Sequence, residues 1–301
     1  MPDITTLFEG TDGATRENFN RKLSDVNAHG NDTTVHITAA EREKWNQVSN
    51  PNLLHNWDFR APVNQNNVTS WTTGYGIDRW LNAVGSNINV DSGCLTLNAT
   101  SVLTQIVPPE MVQRVVGKLV TISCVDTDGV VYSGSGIYPA SGTTTIVFDN
   151  TALRSYIPSS NNAAVQFLAK QTKNIVTVKL ELGSVSTLAN DPPADYGEQL
   201  ALCQRYQFNN VSWFRVRATQ LNADNIDFFV PLPVSMRISP TVRGNWMIKT
   251  LPGGLQSGFT LSAAWKTDNG VQLRFTKAAH GLTDAYAEFP TGTTPLFDAN
   301  L

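Results

Sequence analysis

Cysteine is scarce. Cys94, Cys124 and Cys203 are too few and too far apart for a disulfide framework, and no CxxC pair is present to hold a metal. All three are expected as small buried apolar residues. The four histidines, His29, His36, His55 and His280, form neither HExxH nor a spaced pair suited to zinc, so no metal site is expected. Charge is short as well: Asp, Glu, Lys and Arg make up 16% of the chain, against about a quarter in ordinary soluble proteins. Residues 1–50 carry five Lys or Arg and eight Asp or Glu, and the rest carries 17 of each sign, so the net charge of -3 lies wholly in the N-terminal segment. A neutral body offers no basic stripe to a nucleic-acid backbone and no patch for an anionic membrane surface. No apolar run is long enough to cross a membrane, and "MPDITTLFEG" lacks the basic and apolar regions of a signal peptide. Enzyme motifs are missing too. No GxSxG elbow occurs, and "GSGIYPASG", Gly134 to Gly142, is neither GxGxxG nor a Walker loop, so it reads as a loop between strands. Neither a catalytic residue nor a cofactor is expected.

What is present favours strands and turns: 41% hydrophobic residues, with abundant Thr, Asn, Ser, Gly and Val. A length of 301 residues suits about two globular units. The first 50 residues differ from the rest. "ATRENFNRKLSDVNAH" sets Phe19, Leu23 and Val26 on one narrow apolar stripe of a helix. Thr38 and Glu41 form a capping box at the head of a second helix, with Trp45 as its apolar anchor. Stripes this thin make no core of their own, so the segment is either a cap on its own domain or a docking and oligomerisation element, with Phe19, Leu23, Val26 and Trp45 as its contacts. "VSNPN" ends the helical part at Pro51.

Beyond Pro51 the period becomes two. "NINVDSGCLTLNATSVLTQIV", "TTTIVFDN", "AAVQFLAK" and "NIVTVKLELGSV" alternate in short runs, and "DTDG", Asp126 to Gly129, reads as a hairpin turn rather than a calcium loop. This pattern predicts an antiparallel β-sandwich or jelly roll over residues 51–208, with "YGEQLALCQRYQF" as a helical exception. A distal β region over 209–301 follows, either a separate unit or added strands, with "VPLPVSMRISPTV" as an edge or crossing segment. The fold class is therefore mostly β behind a short helical N-terminal segment.

Four stretches, in order, carry a resemblance. "HITAAEREKWN" resembles a module of tail and baseplate proteins from phages and prophages of Gram-positive bacteria. "NLLHNWDFRAPVNQ" with "GYGIDRW" looks like the opening of a β-sandwich in their tail-fibre proteins. "VKLELGSVSTLANDPPADYGEQLALCQRYQF" is similar to the close of that domain, and "VPLPVSMRISPTV" to the segment after it. The resemblance implies a virion tail-fibre or receptor-binding protein, assembled in the host cytoplasm and usually a homotrimer. Its N-terminal segment would join other tail or baseplate proteins, and its carbohydrate-binding-like sandwich and distal part would meet host surface glycans. A packing-only baseplate protein is the alternative, and a glycan depolymerase a third.

A depolymerase would need paired carboxylates, for which Asp224 with Asp227 and Asp284 with Glu288 are the available pairs, but the internal repeats usual in such enzymes are missing. Glycan binding needs aromatic faces beside polar groups. Trp57, Trp71 and Trp80 are assigned to the core. Trp213, Trp246 and Trp265 are the distal candidates, with Asn245, Lys266 and Asp268 as polar companions. "KAAHGLTDAYAEF" adds His280, Asp284 and Tyr286 in what reads as a loop.

Overall fold

The computed structural model describes residues 16–30, 49–140, 144–158, 164–209, 214–244, 246–250, 254–289 and 296–300. The chain divides into two units, Met1–Ser49 and Asn50–Leu301. In the first, helix α1 (Arg16–Gly30) occupies the predicted stretch, and Phe19, Leu23 and Val26 are 57%, 48% and 41% exposed along it. Trp45 and its predicted helix lie outside the described residues.

The second unit is built almost entirely of antiparallel strands. One six-stranded sheet runs β1 (Ser70–Trp71), β4 (Ile88–Asp91), β5 (Cys94–Leu97), β12 (Lys173–Leu182), β7 (Leu119–Asp126) and β8 (Val131–Ile137). A second runs β2 (Gly74–Tyr75), β3 (Leu81–Asn82), β6 (Val102–Ile106), β11 (Ala164–Ala169), β10 (Leu153–Ile157) and β9 (Thr145–Asp149). Their inner faces close over one core, as alternation in each strand requires. Trp80 sits within it, edge-on to Phe59 at 5.6 Å and tilted against Phe167 at 6.4 Å. Trp57 and Trp71 are buried as expected, and so are the three cysteines.

The irregular segment after Pro51 is held by hydrogen bonds rather than by a ladder, because buried backbone needs partners. Leu53 and Phe59 donate their amides to Leu180 and Val176 of β12, and Val178 donates back to Trp57. Asn56, in the left-handed region at φ 52°, donates its Nδ2 to Val63 and Asp78 carbonyls and takes the Val63 amide. Gly76 in "GYGIDRW" has its own reason: a Cβ there would stand 2.1 Å from the Trp71 indole.

Two sequence expectations need correction. Gly134 and Gly136 lie inside β8, not in a loop, because the backbones of β8 and β9 meet so closely that a Cβ on Gly134 would fall 1.9 Å from the Val147 carbonyl oxygen. Helix α2 (Pro109–Val115) was not foreseen; its signal is Pro109 in the first turn, where no amide donor is needed. The Asp126–Gly129 stretch does form the β7–β8 turn, with Asp126 Oδ1 accepting from the amides of Asp128 and Val130. Helix α3 (Tyr196–Gln204) is capped by Asp195 on the Glu198 amide.

Two further sheets follow α3. A three-stranded one joins β13 (Gln207–Asn209), β22 (Leu296–Asp298) and β16 (Thr241–Arg243). A seven-stranded one runs β18 (Leu255–Gln256), β17 (Met247–Lys249), β21 (Tyr286–Phe289), β14 (Phe214–Leu221), β15 (Asn225–Pro231), β20 (Gly270–Thr276) and β19 (Thr260–Thr267). A second core lies on one face of this sheet, with Ile226, Phe228, Leu273 and Phe275 packed among Met236 and Phe297. The other face carries the polar residues.

Candidate functional site

Alternation on β14 decides which side chains reach that polar face. Val216 and Ala218 pack on the core, so Arg215 and Arg217 project from the opposite side. Their cross-strand partners on β21 are Glu288 and Tyr286, and across β21 from these stand Met247 and Lys249 of β17. The Arg215 guanidinium lies 4.3 Å from the Tyr286 ring centre and donates to Glu288 Oε2 at 3.2 Å; Lys249 Nζ reaches the other oxygen at 2.9 Å. Arg217 contacts Asp284 at 3.3 Å and is 76% exposed. Between them is a depression of about 260 Å³ lined by Arg215, Arg217, Asp284 and Tyr286.

The register places a second row further along the sheet. β14 passes from β21 to β15 at Ala218, which pairs with Phe228; the next residue of β15, Phe229, pairs with Gln272, which pairs with Trp265. Lys249, Tyr286 and Arg217 therefore form one cross-strand row and Phe229, Gln272 and Trp265 another, each spanning three strands over about 10 Å at the usual strand spacing. Phe229 and Trp265 are half-buried. Beside the second row, Arg274 lies 5.3 Å from the Trp265 ring centre and grips the buried Asp227 along one guanidinium edge, Nε and Nη2 donating at 2.7 and 2.6 Å. Both carboxylate pairs weighed for hydrolysis are engaged. Glu288 is held by two cations, Asp284 by Arg217, Asp227 by Arg274, and Asp224 accepts the Ala279 amide. A bidentate Arg–carboxylate grip fixes geometry and occupies the oxygens that acid–base work would use.

Of the residues proposed from sequence, Asp284, Tyr286 and Trp265 fall on this face. Tyr286 is buried beneath Arg215 and belongs to a strand, not a loop, so it supports the surface rather than offering an open ring. Trp246 is a correction: it packs against Phe275 at 5.7 Å and Phe297 at 6.2 Å and serves the core. Lys266 alternates to the face opposite Trp265, and Asp268 sits in the β19–β20 turn. His280 lies in a loop against Phe259, its Nδ1 accepting the Leu282 amide, and is a local fastener. Trp213 and Asn245 lie outside the described residues. The sequence reading missed Arg215, Arg217, Phe229 and Arg274, although "WFRVRATQL" already alternates Arg against Val and Ala. No protein-family model, curated protein or solved structure matches this chain.

Proposed function

We propose that this chain is a phage tail-fibre or receptor-binding protein that adheres to host surface glycans through the polar face of its seven-stranded sheet. One observation carries the reading: half-buried Phe229 and Trp265 flank the amide Gln272 in one cross-strand row, with the Arg274 guanidinium against the Trp265 ring. A sugar stacks its apolar face on a ring while its hydroxyls take hydrogen bonds from neighbours such as Arg217 and Gln272. The resemblance of four sequence segments to tail proteins supports the same reading. Contacts of this kind are individually weak, and copies of the chain presented together add avidity.

The test is adhesion of the labelled full chain to Gram-positive cells before and after periodate oxidation of their surface sugars. Binding is expected to fall on oxidation, and Trp265→Ala and Arg217→Ala are each expected to weaken it roughly tenfold, the worth of about 1.4 kcal/mol, with circular dichroism unchanged. Adhesion indifferent to periodate and to both substitutions would refute the glycan reading.

The stripe on α1 bears on assembly. Exposed Phe19, Leu23 and Val26 are buried if helices from several copies pack together. Light scattering of the full chain is expected to give three times its 32.9 kDa mass, and Leu23→Asp is expected to return it to a single chain. A single-chain mass in both would remove the trimer. The packing-only alternative draws on a different surface, where Leu119 and Ile137 pair across β7 and β8 while 41% and 54% exposed, with Ile146 on β9 at 55%.

A further inference from the structure

The ring of Tyr206, just past α3, gathers polar side chains from three other parts of the chain. The Arg79 guanidinium lies 3.6 Å from its centre, that of Arg237 5.5 Å, and the His55 ring 5.8 Å. This is where the sandwich meets the last strands: Ala299 donates its amide to Tyr206, and Arg79 reaches the Asn300 side chain at 3.3 Å and the Ile106 carbonyl at 2.7 Å. Six buried polar atoms here have no hydrogen-bond partner among the described residues: His55 Nδ1, Tyr75 Oη, Arg79 Nε, Tyr206 Oη, Gln207 Nε2 and Arg237 Nε. Buried groups of this kind are ordinarily satisfied, so six in one seam call for a common partner.

Charge narrows what the partner is. Arg79 is 3% exposed, and the groups acting on it are chiefly Tyr206, Tyr75, Cys203 and another cation, Arg237. Neither guanidinium forms an ion pair among the described residues. No acid of the neighbourhood contacts either guanidinium: Asp78, whose charge reaches Arg79, takes the amide and Nε2 of Gln65, Asp298 takes the amide and Nδ2 of Asn300, and Glu110, whose charge reaches Tyr206, is exposed in α2. Water would fill hydrogen bonds but leave a buried cation uncompensated, which is the more costly defect. Arg79 is also held in the left-handed region, at φ 70°, a conformation that a non-glycine residue keeps only where its surroundings fix it.

We propose that this seam binds a small oxyanion of the phosphate or sulfate class, held by Arg79, Arg237, Tyr75 and Tyr206. A set of guanidinium N–H and phenol O–H donors matches the several acceptor oxygens of an oxyanion better than a spherical halide. The anion would fasten "GYGIDRW" of the sandwich to the segment around Arg237 and to the close of β22. It is independent of the glycan-binding face.

The experiment is a calorimetric titration of the full chain, dialysed into phosphate-free buffer, with inorganic phosphate at fixed ionic strength in sodium chloride. One saturable site per chain is expected. Tyr75→Phe, which removes only an unpartnered hydroxyl, is expected to weaken it roughly tenfold without lowering the phosphate-free melting temperature, and Arg79→Met to abolish it. Where Arg79→Met does not fold, Tyr75→Phe decides alone. No saturable heat at millimolar phosphate, or a site indifferent to Tyr75→Phe, overturns the proposal and leaves these atoms to water.

Discussion

Lys179→Met is expected to destabilise the chain by about 3–5 kcal/mol, the usual cost of stripping one partner from a buried ion pair. Lys179 and Glu181 are 0% exposed on β12, and Asp191 is 7% exposed beside them. The ammonium donates to Asp191 at 2.5 Å and to Thr187 Oγ1 at 3.0 Å, with Glu181 at 3.8 Å. Glu181 itself takes the Thr187 amide and hydroxyl at 2.8 and 2.5 Å. Removing the cation leaves two carboxylates facing each other in a largely buried space. Their repulsion and desolvation are what the substitution exposes, not the worth of the original pair. Lys179→Met combined with Glu181→Gln and Asp191→Asn is therefore expected to recover a good part of the loss. Urea unfolding of the single and triple variants measures both; a single-variant loss under about 1 kcal/mol would mean that the loop over β12 opens to solvent and the cluster is not buried in solution.

The same cluster shows where sequence reading stops. "TVKLEL" alternates as a strand with one wet face should, so β12 was legible, but Lys179 and Glu181 on its polar face are buried and meet Thr187 and Asp191 of the following loop. Alternation reports the period and not the cover. Trp57, Trp71 and Trp80 are assigned to the core from the segments that carry the resemblance, since their neighbours Asn56, Asp58, Ser70, Thr72 and Arg79 give no apolar pattern. The candidate face was only half readable: Arg215 and Arg217 stand opposite Val216 in plain sequence, yet their partners Tyr286 and Glu288 are about 70 residues away and are brought alongside by a pairing that no local signal specifies. In sequence Trp246 stays open between core and binding for a related reason. Its neighbours Phe275 and Phe297 come from distant strands, so nothing beside it in sequence marked it as core.

His55 offers the second large effect, and its sign can be worked out in advance. Burial, aided by the charges of Arg79 and Arg205, pulls its pKa from 6.5 down to about 3. Between those values the unfolded chain takes up a proton that the folded chain refuses, so stability is complete above pH 6.5 and is lost as pH falls toward 3, by up to about 5 kcal/mol. Asp78, close by in the same network, works in the other direction. Burial raises it from 3.8 to about 6, so its folded form holds a proton that the unfolded form has shed, and stability drops by about 3 kcal/mol as pH rises across that interval. From pH 6 to 4 the two nearly cancel, and the wild-type curve is expected to be flat in this window. His55→Phe keeps a ring against Tyr206 and removes the titration, so the variant is expected to gain stability on acidification from pH 6 to 4 while the wild type does not. The difference between the two proteins should change by about 1.4 kcal/mol per pH unit, read from urea unfolding at half-unit intervals in phosphate-free buffer; parallel curves would show that His55 is solvated. In phosphate the wild-type loss below pH 4 should shrink, because an anion beside Arg79 also favours the imidazolium. That change links the two buried groups to the seam they share.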